Sequence, residues 1–146
     1  MNTIRDVLES KGNDIYVTRP ETTIDDAVVE MCRVKVGALL VVEKGRNVGI
    51  VSERDLMIRV LLAHRDPAKT LVREAMTSKV VRIDIDDTVH KAMATMTQRR
   101  CRHLPVVEDG EIVGMVSIGD LVRTVGQEQE YELRALHEYV EGRYPG

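Results

Sequence analysis

The chain has 146 residues, 43% hydrophobic and 31% charged, with 21 basic against 24 acidic side chains. A net charge of −3 gives no global attraction to nucleic acid or an anionic membrane, and a chain with no Phe, no Trp and four Tyr can hardly stack single-stranded bases. No apolar run approaches the roughly 18 to 20 residues of a membrane span, and Met1-Asn2-Thr3-Ile4-Arg5-Asp6 is no signal peptide, so the expectation is a cytoplasmic protein with no nucleic-acid and no membrane partner.

In chain order, residues 1–14 read as an N-terminal helix carrying Ile4, Val7 and Leu8. Ile15 to Thr18 is a short strand, and Ile24, Ala27, Val28, Met31 and Val34 recur at helical spacing behind a Thr22/Asp25 capping signal. Two strands follow, Ala38 to Glu43 and Val48 to Ser52, joined by a turn at Lys44-Gly45-Arg46, and a helix over 53–63 closes the unit 15–63. Residues 64–79 are a linker in which Leu71 to Met76 makes a helical turn. The unit 80–126 repeats the order: a strand at Val80 to Ile83, a helix through Val89, Ala92, Met93 and Met96, a hairpin at Asp109-Gly110, and a helix over 118–126. Residues 127–146 form a C-terminal helix and tail. Leu133, Leu136 and Val140 give that helix an apolar stripe that needs a surface, either the N-terminal helix or a second copy of the chain, and 142–146 read as frayed. Cys32 and Cys101 lack metal spacing and read as two buried thiols in a reducing compartment.

The recurrence is a true repeat. Residues 16–60 match 81–125 without a gap, identical at fifteen of 45 positions, and Ile4-Arg5-Asp6-Val7-Leu8 resembles Val72-Arg73-Glu74-Ala75-Met76. A unit of this length buries too little surface to be comfortable alone. The sequence therefore predicts an α+β fold in which two sheets pack face to face about a pseudo-twofold axis and leave two related clefts.

Each copy ends its third strand in the same way, Gly49-Ile50-Val51-Ser52-Glu53-Arg54-Asp55-Leu56 and Gly114-Met115-Val116-Ser117-Ile118-Gly119-Asp120-Leu121. Ser, two residues, then an acid is close to a capping box, which stabilises a helix start by about 1 kcal/mol with no ligand. The same geometry also suits a ribonucleotide: the helix start attracts phosphate, and the Asp can accept from both ribose hydroxyls. Residues alone leave both readings open.

The twice-repeated strand-helix-strand-strand-helix order, His103-Leu104-Pro105-Val106-Val107-Glu108-Asp109-Gly110 and the Gly-x-x-Ser-x-x-Asp-Leu endings resemble a tandem pair of CBS domains over roughly residues 4–125. The pattern is most similar to small stand-alone bacterial proteins made of one such pair. The resemblance implies two β-α-β-β-α repeats with helical extensions and a regulatory module that binds an adenosine-containing ligand between them. It places the ribose on Asp120 with Ser117 and Gly119, the adenine against Ile15, Tyr16 and Val17, and a further wall at Arg102, His103, Leu104 and Pro105. A second cleft would use Ser52, Arg54 and Asp55, with Lys79, Val80 and Val81 and with Gly37, Ala38 and Leu39. The Asp120 cleft should be the tighter, because Arg99, Arg100, Arg102 and His103 stand where the first copy has Val34, Lys35, Gly37 and Ala38.

The resemblance thus suggests AMP or NAD as ligand ahead of ATP and S-adenosylmethionine, a homodimer, and an unnamed downstream protein. No nucleophile elbow, Walker-type loop or Gly-x-Gly-x-x-Gly is present, and His64, His90, His103 and His137 are dispersed, so no enzyme, catalytic cofactor or metal site is expected. The competing expectation is a CBS-like scaffold that has lost its ligand and serves assembly alone.

Overall fold

In the computed structural model, which describes residues 2–140 and side chains as far as residue 137, each copy builds one three-stranded sheet. Helix α1 (Ile4–Lys11) opens on a capping box between Thr3 and Asp6. Strand β1 (Val17–Thr18) leads to α2 (Ile24–Val34), whose N-cap is Thr23, accepting from the Asp26 amide, one residue later than the Thr22/Asp25 signal. Strands β2 (Ala38–Glu43) and β3 (Arg46–Ser52) turn on Lys44 and Gly45, both at positive φ, as a two-residue hairpin requires. The helix expected over 53–63 is a single α-turn, α3 (Glu53–Leu56), that runs into a π-helical turn over Met57–Leu61.

After α4 (Val72–Ala75) the pattern returns as β4 (Ile83–Asp84), α5 (Val89–Arg99), β5 (His103–Glu108) and β6 (Glu111–Ser117). The last helix, α6 (Ile118–Val140), does not stop at Gly126. Strong helix formers follow that glycine, and their propensity outweighs its cost of about 1 kcal/mol. Leu133 and Leu136 stay exposed on α6, so their stripe does not lie on α1, while the side chain of Val140 and the tail 142–146 lie outside the described residues.

The first strand of each copy is shorter than the sequence suggests, and β4 begins late for a clear reason. In the first sheet β1 runs parallel to β2, and the Leu40 amide still donates to the Tyr16 carbonyl just outside the strand. The position equivalent to Leu40 is Pro105, which has no N–H, so pairing of β4 with β5 starts only at Ile83 and Val106.

Two hydrophobic cores result, and each is closed by a helix from outside its own repeat. The first contains Ile24, Ala27, Met31, Leu39, Val41 and Val51 with Val72 and Ala75 of α4. The second contains Val89, Ala92, Met96, Leu104, Val106, Val116 and Leu121 with Ile4, Val7 and Leu8 of α1. Each closing helix crosses at a pseudo-equivalent glycine. A Cβ on Gly49 would meet Met76 Sδ at 2.7 Å and the Thr77 carbonyl at 2.9 Å, whereas one on Gly114 would meet only Leu8 side-chain atoms, the nearest at 2.9 Å. Backbone cannot yield as a leucine tip can. Gly49→Ala should therefore lower the urea midpoint clearly more than Gly114→Ala.

The other sheet faces are buried as well. Ala38, Leu40 and Pro105 are almost fully enclosed yet belong to neither core, because strand alternation points them towards the opposite sheet. Arg54 Nη1 donates to the Arg100 carbonyl at 3.0 Å and Arg82 Nη2 to Asn47 Oδ1 at 3.0 Å, tying the copies together at the rim. Cys32 is exposed on α2 and Cys101 half-buried, so the expectation of two buried thiols is corrected: Cys32 lies on the solvent side of an amphipathic helix. Among the described residues no helix is long and apolar enough to cross a membrane.

Candidate functional site

A cavity of about 340 Å³ opens between the copies, lined by Tyr16, Val36, Gly37, Ala38 and Glu53 of the first and His103, Met115, Ser117 and Asp120 of the second, together with Lys11, Gly12, Asp14 and Lys35. Its floor is a helix start. The Ser117 hydroxyl accepts from the Asp120 amide at 3.2 Å, and Asp120 Oδ2 accepts from the Ser117 amide at 2.8 Å. Oδ2 also takes Lys11 Nζ at 2.9 Å, and the same ammonium donates to the Met115 carbonyl at 2.7 Å. Among the described residues, Oδ1 has only a long contact from Arg123 Nη1, at 3.4 Å. Burial opposes ionisation of Asp120, but the Ser117 amide and the Lys11 ammonium outweigh it and hold the carboxyl below its ordinary range.

His103 stands opposite. A Cβ on Gly37 would meet Glu53 Oε1 and come 2.9 Å from His103 Nε2, so both side chains close over this glycine. Burial pushes the imidazole below its ordinary value, more strongly than the Glu53 and Asp120 carboxylates push it up, so burial favours the neutral ring. As pH falls through about 6.5 the unfolded chain protonates this histidine before the folded one does, and stability declines until the depressed folded value is passed. The Asp120 contribution has the same sign lower down: it is complete above the unfolded value of about 3.9 and is lost as pH falls through the folded one. Urea midpoints between pH 7.5 and 5 should fall in the wild type and flatten in His103→Gln.

Of the residues expected in the main cleft, Tyr16, His103, Ser117 and Asp120 meet at this cavity. Leu104 is enclosed in the second core and Pro105 between the sheets, since their neighbours along β5 alternate faces. Val17 is half exposed and lines a separate hollow of about 560 Å³ with Thr18, Arg19 and Pro20, Ile15 and Gly119 are outside the lining of the Asp120 cavity, and Arg102 is exposed. Arg99 and Arg100 lie outside it too.

The residues expected in the second cleft do not assemble in the same way. Gly37 and Ala38 line the Asp120 cavity, because β2 lies beside Tyr16 in one sheet, while Leu39 is in the first core and Val81 packs against the second. Asp55 is held locally: Oδ2 accepts from the Ser52 amide at 2.9 Å and its hydroxyl at 3.1 Å, and Oδ1 from the Thr77 hydroxyl at 2.9 Å. Arg54 is turned to the Arg100 carbonyl, Lys79 is exposed and Val80 half-buried.

Sequence reasoning missed Lys11, Asp14, Lys35, Val36, Glu53 and Met115. The signal for Lys11 was present, since the match of 4–8 to 72–76 makes it the counterpart of Lys79, a residue the same reasoning had assigned to a cleft.

The CBS domain family model matches the chain twice, over residues 3–62 and 72–126. The mitochondrial CBS domain-containing protein CBSX3 of Arabidopsis thaliana is 39% identical, over 97% of this chain and 73% of its own length. The CBS domain-containing protein YhcV of Bacillus subtilis is 31% identical, over 83% and 84%. Among solved structures, a putative signal-transduction protein with CBS domains from Burkholderia ambifaria is 39% identical with a TM-score of 0.83, covering 85% of this chain and 93% of that one. A hexameric CBS-CP12 protein from bloom-forming cyanobacteria shares the fold at 24% identity and a TM-score of 0.74, covering 84% and 70%. Pairs of this kind are generally regulatory or signal-transduction modules. Two matched domains and two equivalent sheets agree: the chain belongs to the CBS-domain family, as a tandem CBS pair.

Proposed function

We propose that this CBS pair is a regulatory module that takes an adenosine-containing ligand in the Asp120 cavity, with the ribose on Asp120 and the base between Tyr16 and Ala38. The observation that carries this reading is one hollow of about 340 Å³ in which a half-buried, ionised carboxylate at a helix start faces apolar walls from the other copy. That size stands at the low end of ligand pockets, about 300–1,000 Å³, and suits a mononucleotide better than a dinucleotide. AMP is therefore preferred to NAD. ATP ranks lower, because Asp14, Glu53 and Asp120 line the site and, among the described residues, no arginine does. The same carboxylates keep S-adenosylmethionine, with its cationic end, among the candidates.

A thermal-shift panel of AMP, adenosine, NAD, ATP and S-adenosylmethionine tests the reading. Ligand at a hundred times its Kd adds about 2.7 kcal/mol, several degrees in Tm for a chain of this length. The expected order begins with AMP. No shift with any of the five at millimolar concentration overturns the reading in favour of the assembly scaffold.

The same proposal makes the protein a homodimer. The π-helical turn exposes Met57, Ile58 and Leu61, Leu62 just after it is exposed as well, and so is Val122 of α6; clustered exposed apolar side chains favour a protein contact. Light scattering should give twice 16.5 kDa at micromolar concentration, and Leu61→Glu with Leu62→Glu should return it to 16.5 kDa. A wild-type monomer at that concentration contradicts this part of the proposal.

A further inference from the structure

We propose that Lys11 is a competitive latch on the cavity: a ribose arriving at Asp120 displaces its ammonium, which then re-pairs with the phosphate of the ligand. This rests on the nucleotide reading above and adds to it the last residue of α1, the helix that packs on the other copy's core. The argument begins with the acceptor capacity of Asp120. A carboxylate oxygen has two good acceptor positions, and Oδ2 already serves the Ser117 amide at 2.8 Å and Lys11 Nζ at 2.9 Å. Only Oδ1 is lightly used. Two ribose hydroxyls need both oxygens, and the Ser117 amide is fixed by the backbone, so the contact that can leave is the one from Lys11.

The released ammonium has little distance to travel. Lys11 is the last residue of α1, its side chain is 29% exposed, and it lines the cavity wall it would leave. An uncompensated ammonium beside the ligand gains most from a phosphate oxygen within the same hollow. The other cation on the lining, Lys35, terminates α2 in a left-handed cap. Lys11 couples ligand charge to the packing of the other copy, because α1 also closes the second core through Ile4, Val7 and Leu8.

The latch has a signature that a plain binding residue lacks, since its removal should move two ligands in opposite directions. Titration calorimetry of the full chain with AMP and with adenosine, for wild type, Lys11→Met and Lys11→Arg, reads this. Lys11→Met should bind adenosine several-fold tighter, freed from competition, and AMP about tenfold weaker, having lost a charge-assisted bond. Lys11→Arg should restore most of the preference for AMP. Equal losses for both ligands, or no change in either, overturn the latch while leaving the nucleotide site standing. Wild type that binds neither ligand overturns the nucleotide site itself, and the latch with it.

Discussion

Asp120→Ala should weaken AMP binding by between about tenfold and a hundredfold, the cost of losing hydrogen bonds to a charged acceptor, while Asp55→Ala leaves it unchanged. The two variants make a matched pair. Each removes the acid of a capping box, Ser52 with Asp55 or Ser117 with Asp120, so each should lose about 1 kcal/mol of stability. Only one of the two carboxylates faces the cavity. Asp55 stands outside the lining of that cavity and bonds to Ser52 and Thr77. Calorimetry with AMP, alongside a melting curve for each variant, separates the structural loss from the loss of binding. Equal losses of affinity in both would mean that the copies bind alike, against the placement of Asp55.

Ile4→Ala should destabilise the protein by about 2–5 kcal/mol, as much as truncating a residue in the middle of a core, although Ile4 stands at the N-terminal edge of the chain. Ile4 is fully enclosed, and with Val7 and Leu8 it forms one wall of the second core. Its amide donates to the Asp87 carbonyl at 2.9 Å, and Thr3 bridges to Thr88, so backbone and side chain fasten α1 to the second copy. Val72 holds the equivalent position in the first core, and Val72→Ala should be costly in the same manner. Urea unfolding measures both. A loss below about 1 kcal/mol for Ile4→Ala would contradict the exchange of closing helices between the copies.

The architecture was legible because duplication is a property of the sequence itself. Hydrophobic periodicity located α2 and α5, and the turn dipeptides located both hairpins. Cross-chain detail was less accessible. Lys44-Gly45 and Asp109-Gly110 act locally, whereas the place where Lys11 lands depends on α1 crossing to the other copy, a fact of tertiary packing hinted at only by the resemblance of 4–8 to 72–76. Arginine content misled for a related reason. Arg99, Arg100 and Arg102 flank His103 in sequence, but an αL turn at Arg100 and strand alternation leave His103 at the cavity and put the arginines outside it. Pro105 shows the converse, where one missing amide hydrogen explains why β4 starts late once the pairing is known.

The most direct measurement is a crystal structure of the protein grown with AMP. The nucleotide should sit between Tyr16 and Ala38 with both ribose hydroxyls on the Asp120 carboxylate. AMP bound at Asp55 alone, or outside the hollow between the two sheets, would contradict the account.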